Sequence, residues 1–213
     1  MKKHIITIVI SLLSLSALAQ GFIDVRIEDS GAEMRTIEKR WTTNAIRVNI
    51  AHPKALIHDL AQAFCGQYTN YVPNSCAVKF LKNPSAHDPE KNGYHAEVAP
   101  RNGFMRCDIG AQFDHKVEMC YWRRPNGHSL VGVLMLAAGE GERSFSSLLF
   151  YDYDPATHIM TPDVKVCNTV NGILSKHKGS RFMSLPKEGK DIRVSTVEWS
   201  ETDDFVYDEF MLK

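Results

Sequence analysis

Tyr121-Trp122-Arg123-Arg124, with His128 four residues further on, sets two aromatic rings, two guanidiniums and an imidazole around a Pro125-Asn126-Gly127 turn. Aromatic rings beside arginines are common at recognition surfaces, where the ring supplies buried area and the guanidinium supplies directed hydrogen bonds. Tyr121, Arg123, Arg124 and His128 are therefore the candidate partner-binding residues, for an unknown protein or an acidic glycan. Strand alternation would put Tyr121 and Arg123 on one face and Trp122 and Arg124 on the other, and one of those faces would be core.

Strings that imitate catalytic motifs fail on their context. Gly127-His128-Ser129-Leu130-Val131-Gly132 resembles a nucleophile elbow, but the elbow needs a strand before the serine and a helix after it. Here an Asn-Gly turn precedes Ser129 and an apolar β-type run follows it. Cys65 has His58 seven residues earlier on the same helical face, about 10 Å along the axis, too far for a nucleophile–base hydrogen bond. The nine histidines form no HxH, HxxxH or HExxH pair, so no metal ligands are assigned. Asp152, Asp154 and Asp163 space like positions 1, 3 and 12 of a calcium loop, yet Ala156 and Thr157 stand where an oxygen ligand and a glycine belong. No catalytic residue and no cofactor is assigned.

Cys65, Cys76, Cys107, Cys120 and Cys167 make an odd count with no CxxC. A hairpin folded about residues 113–114 would set Cys107 opposite Cys120, and these two are the candidate disulfide.

The elements that must position these residues follow from pattern. Ser30 with Glu33 forms a capping box ahead of Met34, Ile37 and Trp41, predicting a helix near 31–42. Residues 44–50 alternate as a short strand. Pro53 suits a first helical position, Leu56, Leu60 and Phe64 line one face, and Gly66 offers a stop. A shorter helix is expected from Asn74 or Ser75 to Lys82, then a loop over 83–93. From Tyr94 the pattern turns to strands: 94–99 and 104–109 around Asn102-Gly103, 117–124 and 129–138 around Asn126-Gly127, then 145–153 and 158–161. The Val131–Ala138 run is apolar on both faces and marks a central strand. Residues 167–178 read as a helix, and 192–199 with 205–212 as a closing pair. The fold class expected is α+β, with N-terminal helices packed on one face of an antiparallel, hairpin-linked meander sheet.

The N-terminus reads as a secretory leader. Lys2 and Lys3 precede an apolar stretch over Ile5–Leu15, and Ala17-Leu18-Ala19 supplies the small residues that signal peptidase accepts. That stretch would span roughly 16 Å as a helix, well short of the ~30 Å hydrocarbon core. Residues 1–19 are thus expected to be a signal peptide and 20–213 one α+β domain, with no membrane span in the mature protein. The whole chain balances 25 Lys+Arg against 25 Asp+Glu, so losing Lys2 and Lys3 leaves a net charge of about −2. That balance argues against a nucleic-acid partner. Basic residues concentrate over 101–128 and acidic ones over 191–213, where solvated faces with cross-strand pairing between the two segments are expected.

Leu149-Phe150-Tyr151-Asp152-Tyr153-Asp154-Pro155-Ala156-Thr157 and Leu185-Pro186-Lys187-Glu188-Gly189-Lys190-Asp191-Ile192 resemble segments of small uncharacterised exported proteins of Bacteroidales. The resemblance implies export from a Gram-negative cell and carries no activity with it. The function expected is a non-enzymatic periplasmic or secreted binding module. The alternative is a periplasmic hydrolase whose Cys/His site assembles only in space.

Overall fold

The computed structural model describes residues 21–29, 37–50, 52–110, 115–137, 143–177, 180–199 and 205–212. The signal peptide expected over 1–19 lies outside them. Twelve strands and four α-helices are formed among the described residues. The strands are β1 (Gly21–Asp29), β2 (Ile37–Thr43), β3 (Ile46–Arg47), β4 (Tyr94–Ala99), β5 (Phe104–Ile109) and β6 (His115–Arg123). They continue with β7 (Ser129–Ala137), β8 (Arg143–Asp154), β9 (Ile159–Pro162), β10 (Ser180–Ser184), β11 (Ile192–Trp199) and β12 (Phe205–Leu212). The helices are α1 (Ile57–Gln67), α2 (Val72–Lys82), the single turn α3 (Pro89–Asn92) and α4 (Val164–Leu174).

Mixed α+β architecture around an antiparallel sheet is what the chain forms. Strands β4 to β8 run as an antiparallel meander, and β1 then β2 extend it in the order β2-β1-β8-β7-β6-β5-β4. The two-faced apolar strand β7 is the middle one. Strand β8 is long enough to serve two partners on its far edge, β1 at Arg143–Ser146 and β9 at Tyr151–Asp154. Gly103 (φ 64) and Gly127 (φ 84) hold the left-handed conformation that the two Asn-Gly turns require.

Residues alternate along β5 to β8, and both sets are buried, whereas the edge strand β4 leaves His95 and Glu97 exposed. Met105, Val117, Met119, Val133 and Tyr151 meet Ile57, Leu60 and Phe64 of α1 with Ala77 and Leu81 of α2. Phe64 sits edge-on to Tyr151, their ring centres 5.8 Å apart. The opposite set, Phe104, Cys120, Leu134, Leu148 and Phe150, meets Cys167 and Leu174 of α4 and Met183, Ile192, Val194 and Leu212 of the small β10-β11-β12 sheet. The sheet is therefore covered on two sides, not on the single face expected. The short β10, not foreseen, is what docks this second cover. Each large side chain so buried contributes about 1.5–3 kcal/mol relative to exposure.

Other expectations need correction. The helix foreseen near 31–42 is a strand over 37–43, paired along its length with β1; residues 30–36 lie outside the described set. Ile37, Trp41, Thr42 and Thr43 are β-branched or aromatic, and an available sheet edge outweighs their helical spacing. Helix α1 starts at Ile57, four residues beyond Pro53, because Asp59 at the third helical position accepts the Leu56 backbone N–H (2.9 Å) and fixes the first turn there. Within the expected loop 83–93, Asp88 caps α3 by accepting from the amides of Glu90 and Lys91. Asp163 likewise starts α4 earlier than expected, accepting from the Val166 amide (3.1 Å).

The two covers are anchored by polar contacts as well. Tyr71, between α1 and α2, shares its one hydroxyl proton between the Lys116 and Leu136 carbonyls at the ends of β6 and β7. On the other face Glu118 is only 1% exposed. One carboxylate oxygen accepts from Lys116 Nζ (2.9 Å), the other from the Leu185 amide just after β10 (2.8 Å), and Lys116 Nζ also donates to the Met183 carbonyl (3.0 Å). Arg106 lies 3.7 Å from Glu118 and bonds Asp108 at 2.6 Å.

This cluster ties the small sheet to the large one, and removing one partner strands a buried charge. Glu118→Ala is expected to cost about 3–5 kcal/mol in urea unfolding. The pair replacement Lys116→Met with Glu118→Leu should recover about half of that, leaving about 1–3 kcal/mol for the orphaned Leu185 N–H. Equal losses in the single and double variants would refute the clasp.

Candidate functional site

The β6–β7 hairpin ends the sheet beside the β8–β9 turn, and this junction gathers all four candidate residues. They do not form one basic patch. Because both faces are covered, Tyr121 packs against the α1–α2 core while Trp122 packs into the core beneath α4. The Tyr121 ring also closes over Gly103, where a Cβ would lie 2.8 Å from it.

Arg124 and His128 face the α4 side and are held by carboxylates. Arg124 pairs with Asp152 and, at 2.6 Å, with Asp163 at the cap of α4. Burial opposes its charge, but the bonds to Asp163 and Asp152 keep the guanidinium's pKa above its ordinary value. His128 Nδ1 lies 2.6 Å from Asp152 and its Nε2 lies 3.7 Å from Asp154. Asp154 is itself held below the usual carboxylate range by the Ala156 amide and the Thr157 hydroxyl. These groups border an open groove with Thr161 and Pro162. The Asp152, Asp154 and Asp163 that imitate a calcium loop are thus spent on Arg124, His128 and backbone amides. Asp154-Pro155-Ala156-Thr157 forms a turn closed by His158, which adopts φ 56 and accepts the Val48 amide on its carbonyl (2.8 Å).

Arg123 points the other way and is exposed. It borders a cleft of about 330 Å³ with Tyr121, Ser129, Tyr153 and His158 on the sheet side. Ile50, Pro53, Lys54 and Ala55 close the opposite wall. Tyr153 and His158 are joined across its floor (phenol oxygen to Nδ1, 3.1 Å). Lys54, Tyr153 and His158 were not among the sequence candidates. Lys54 and His158 belong to a connecting segment and a turn, and nothing in their local pattern marks them. The pairing of β9 with both β3 and β8 brings Ile50, Pro53, Lys54, Ala55 and His158 beside the hairpin.

The candidate disulfide is not formed. Strand β5 pairs with β6 in the register Cys107↔Val117 and Phe104↔Cys120, so Cys107 lies three residues from the partner expected. The odd shift in register sends the two side chains to opposite faces, Cys107 to the α1–α2 core and Cys120 to the core under α4. All five cysteines are free thiols.

Their surroundings decide their chemistry. Burial pushes the pKa of Cys65, Cys107, Cys120 and Cys167 up, which withdraws the thiolate a nucleophile needs. The Cys65 thiol faces Asn74 Oδ1 (3.7 Å), while His58 turns its Nε2 to the Leu81 carbonyl (2.8 Å). The charge pattern also resolves differently from expectation. Among the described residues Arg106, Lys116 and Arg124 pair with carboxylates of their own sheet or with Asp163, and Arg193 pairs with Glu209 inside the small sheet (3.4 Å).

Alkylation of the native protein with iodoacetamide near neutral pH should label the half-buried Cys76 first and leave the other four thiols untouched until denaturant is added. Fast modification of Cys65, Cys107, Cys120 or Cys167 would show that its pocket opens. Comparison of the chain with family models, curated proteins and solved structures returned no match.

Proposed function

We propose that this chain is an exported protein of a Gram-negative cell, periplasmic or secreted, that acts as a non-enzymatic binding module through the end of its sheet. The leader-like residues 1–19 support export. No described helix is long and apolar enough to cross a membrane. The observation that carries the binding reading is the division of labour in the hairpin. Arg124 is committed to internal ion pairs and His128 to a hydrogen bond with Asp152, contacts that hold the hairpin rigid, while Arg123 stays exposed at the mouth of a ligand-sized cleft. Rigid presentation lowers the ordering cost of association.

A cysteine hydrolase gains nothing from this geometry, since four thiols are buried with raised pKa values and the fifth, half-buried Cys76, is raised by burial as well. His128 carries an Asp partner in the manner of a catalytic dyad, but Ser129 lies on the cleft side and His128 on the groove side of the sheet.

Two measurements test the reading. Osmotic-shock fractionation of expressing cells should release a product beginning at Gln20; retention in the cytosol with Met1 intact would refute export. Immobilised wild type should retain a partner from periplasmic or surface extract. Arg123→Glu should lose it by about tenfold or more, while Arg193→Glu on the small sheet keeps it. Retention unchanged by Arg123→Glu would remove the cleft edge from the interface. Arg124→Glu is unsuitable here, because it places a third carboxylate between Asp152 and Asp163 and acts through folding.

A further inference from the structure

The two hollows at the end of the sheet have opposite character. Asp152, Asp154 and Asp163 all border the groove on the α4 side, while Asp59, near Tyr153, accepts the Leu56 amide and is buried. Each is engaged: Asp152 by Arg124 and His128, Asp154 by the Ala156 amide and Thr157, Asp163 by Arg124 and the Val166 amide. The cleft on the other side has no carboxylate among its lining residues, yet Lys54 and Arg123 both border it. Both are exposed, and among the described residues neither has an ion-pair partner. Arg124 lies between the hollows with its charge already met. Two uncompensated cations therefore face one small space, where an oxyanion would form charge-assisted hydrogen bonds with both.

The rest of the lining limits what the anion can be attached to. Ile50, Pro53, Tyr121 and Pro155 give an apolar wall. The Tyr153 hydroxyl and His158 ring supply a polar spot between the cationic edge and the floor. Burial, then the charges of Asp59 and Asp154, push the Tyr153 phenol up, so it stays a neutral hydroxyl able to donate. At about 330 Å³ the space is at the low end of the ~300–1,000 Å³ usual for small-molecule sites. It suits one ring or a short branched chain, not an extended polymer segment.

We infer that this cleft takes a small organic oxyanion, a carboxylate or phosphate ester on a ring-shaped or apolar body, gripped by Arg123 and Lys54 with the body against Tyr121 and Pro155. This rests on the cleft being the binding site proposed above and names the chemistry it selects. Tyr153 and His158 are assigned to the ligand's second polar group.

Matched probes separate the charge from the body. Calorimetric or saturation-transfer titration of the purified mature protein would use D-glucuronate and D-glucose 6-phosphate against D-glucose, and benzoate against benzamide. At least one anion should bind about tenfold or more tightly than its neutral counterpart, and weaken as salt is raised. Arg123→Gln and Lys54→Gln should each reduce that binding by about tenfold, Arg193→Gln should leave it unchanged, and Ser129→Phe should abolish it by filling the cleft. Preference for glucuronate over glucose 6-phosphate, or the reverse, assigns the anion as carboxylate or phosphate. Equal binding of charged and neutral partners, lost only in Ser129→Phe, would keep the cleft as a site and overturn its anion selectivity. Anion binding that survives both Gln variants would place the site elsewhere and overturn its assignment to this cleft. No binding by any of the five probes would overturn the small-anion inference, while partner retention lost in Arg123→Glu would still uphold the binding module proposed above.

Discussion

Burial of the meander on both faces is the constraint from which the other features follow. In a strand the side chains alternate, so when both faces are packed no register shift by one residue is tolerated. Every odd position of β6 that faces α1 and α2, Val117 and Met119, is matched by an even one, Glu118 and Cys120, that faces the small sheet or α4. A slip would place Glu118 in the helical core and Met119 against the Leu185 amide. The cost of either misplacement exceeds the few kcal/mol that separate alternative turn geometries.

Glu118 and Lys116 show how polar groups are accommodated in such a layer. Neither would be stable there alone, but each satisfies the other and the backbone at Met183 and Leu185. The ion pair therefore acts as a directional latch: apolar packing sets the distance between the sheets, and the carboxylate sets which residue of the 183–185 segment sits over β6. The small sheet could otherwise slide along an apolar surface at little cost.

The same two-sidedness shapes the end of the sheet. Arg123 at the end of β6 and Arg124 just past it leave in opposite directions, so Arg124 enters a carboxylate-rich groove and Arg123 borders a cleft with no carboxylate in its lining. The ion pairs of Arg124 and the hydrogen bond of His128 to Asp152 stiffen the hairpin that presents Arg123. Structural and exposed roles thus fall to neighbouring residues of identical type, and their substitutions should be read differently. A loss at Arg124 reports on hairpin geometry, a loss at Arg123 on contact.

Local pattern by itself determined the α+β class, the meander from Tyr94 to Thr161, both Asn-Gly turns, and β7 as the central strand, because these depend on turn chemistry and alternation within a few residues. It also singled out Tyr121, Arg123, Arg124 and His128 as neighbours, although not their division between two hollows. Tertiary structure alone decided the rest. Residues 37–43 became an edge strand because β1 offered hydrogen bonds that an isolated segment lacks. Cys107 and Cys120 parted because the register sets Cys107 opposite Val117, three residues short of Cys120, an odd offset that parity turns into opposite faces. Lys54 and His158 joined the cleft because β9 pairs with strands on either side of it. Each of these outcomes rests on contacts between segments far apart in the chain, whose free energy no local spacing encodes.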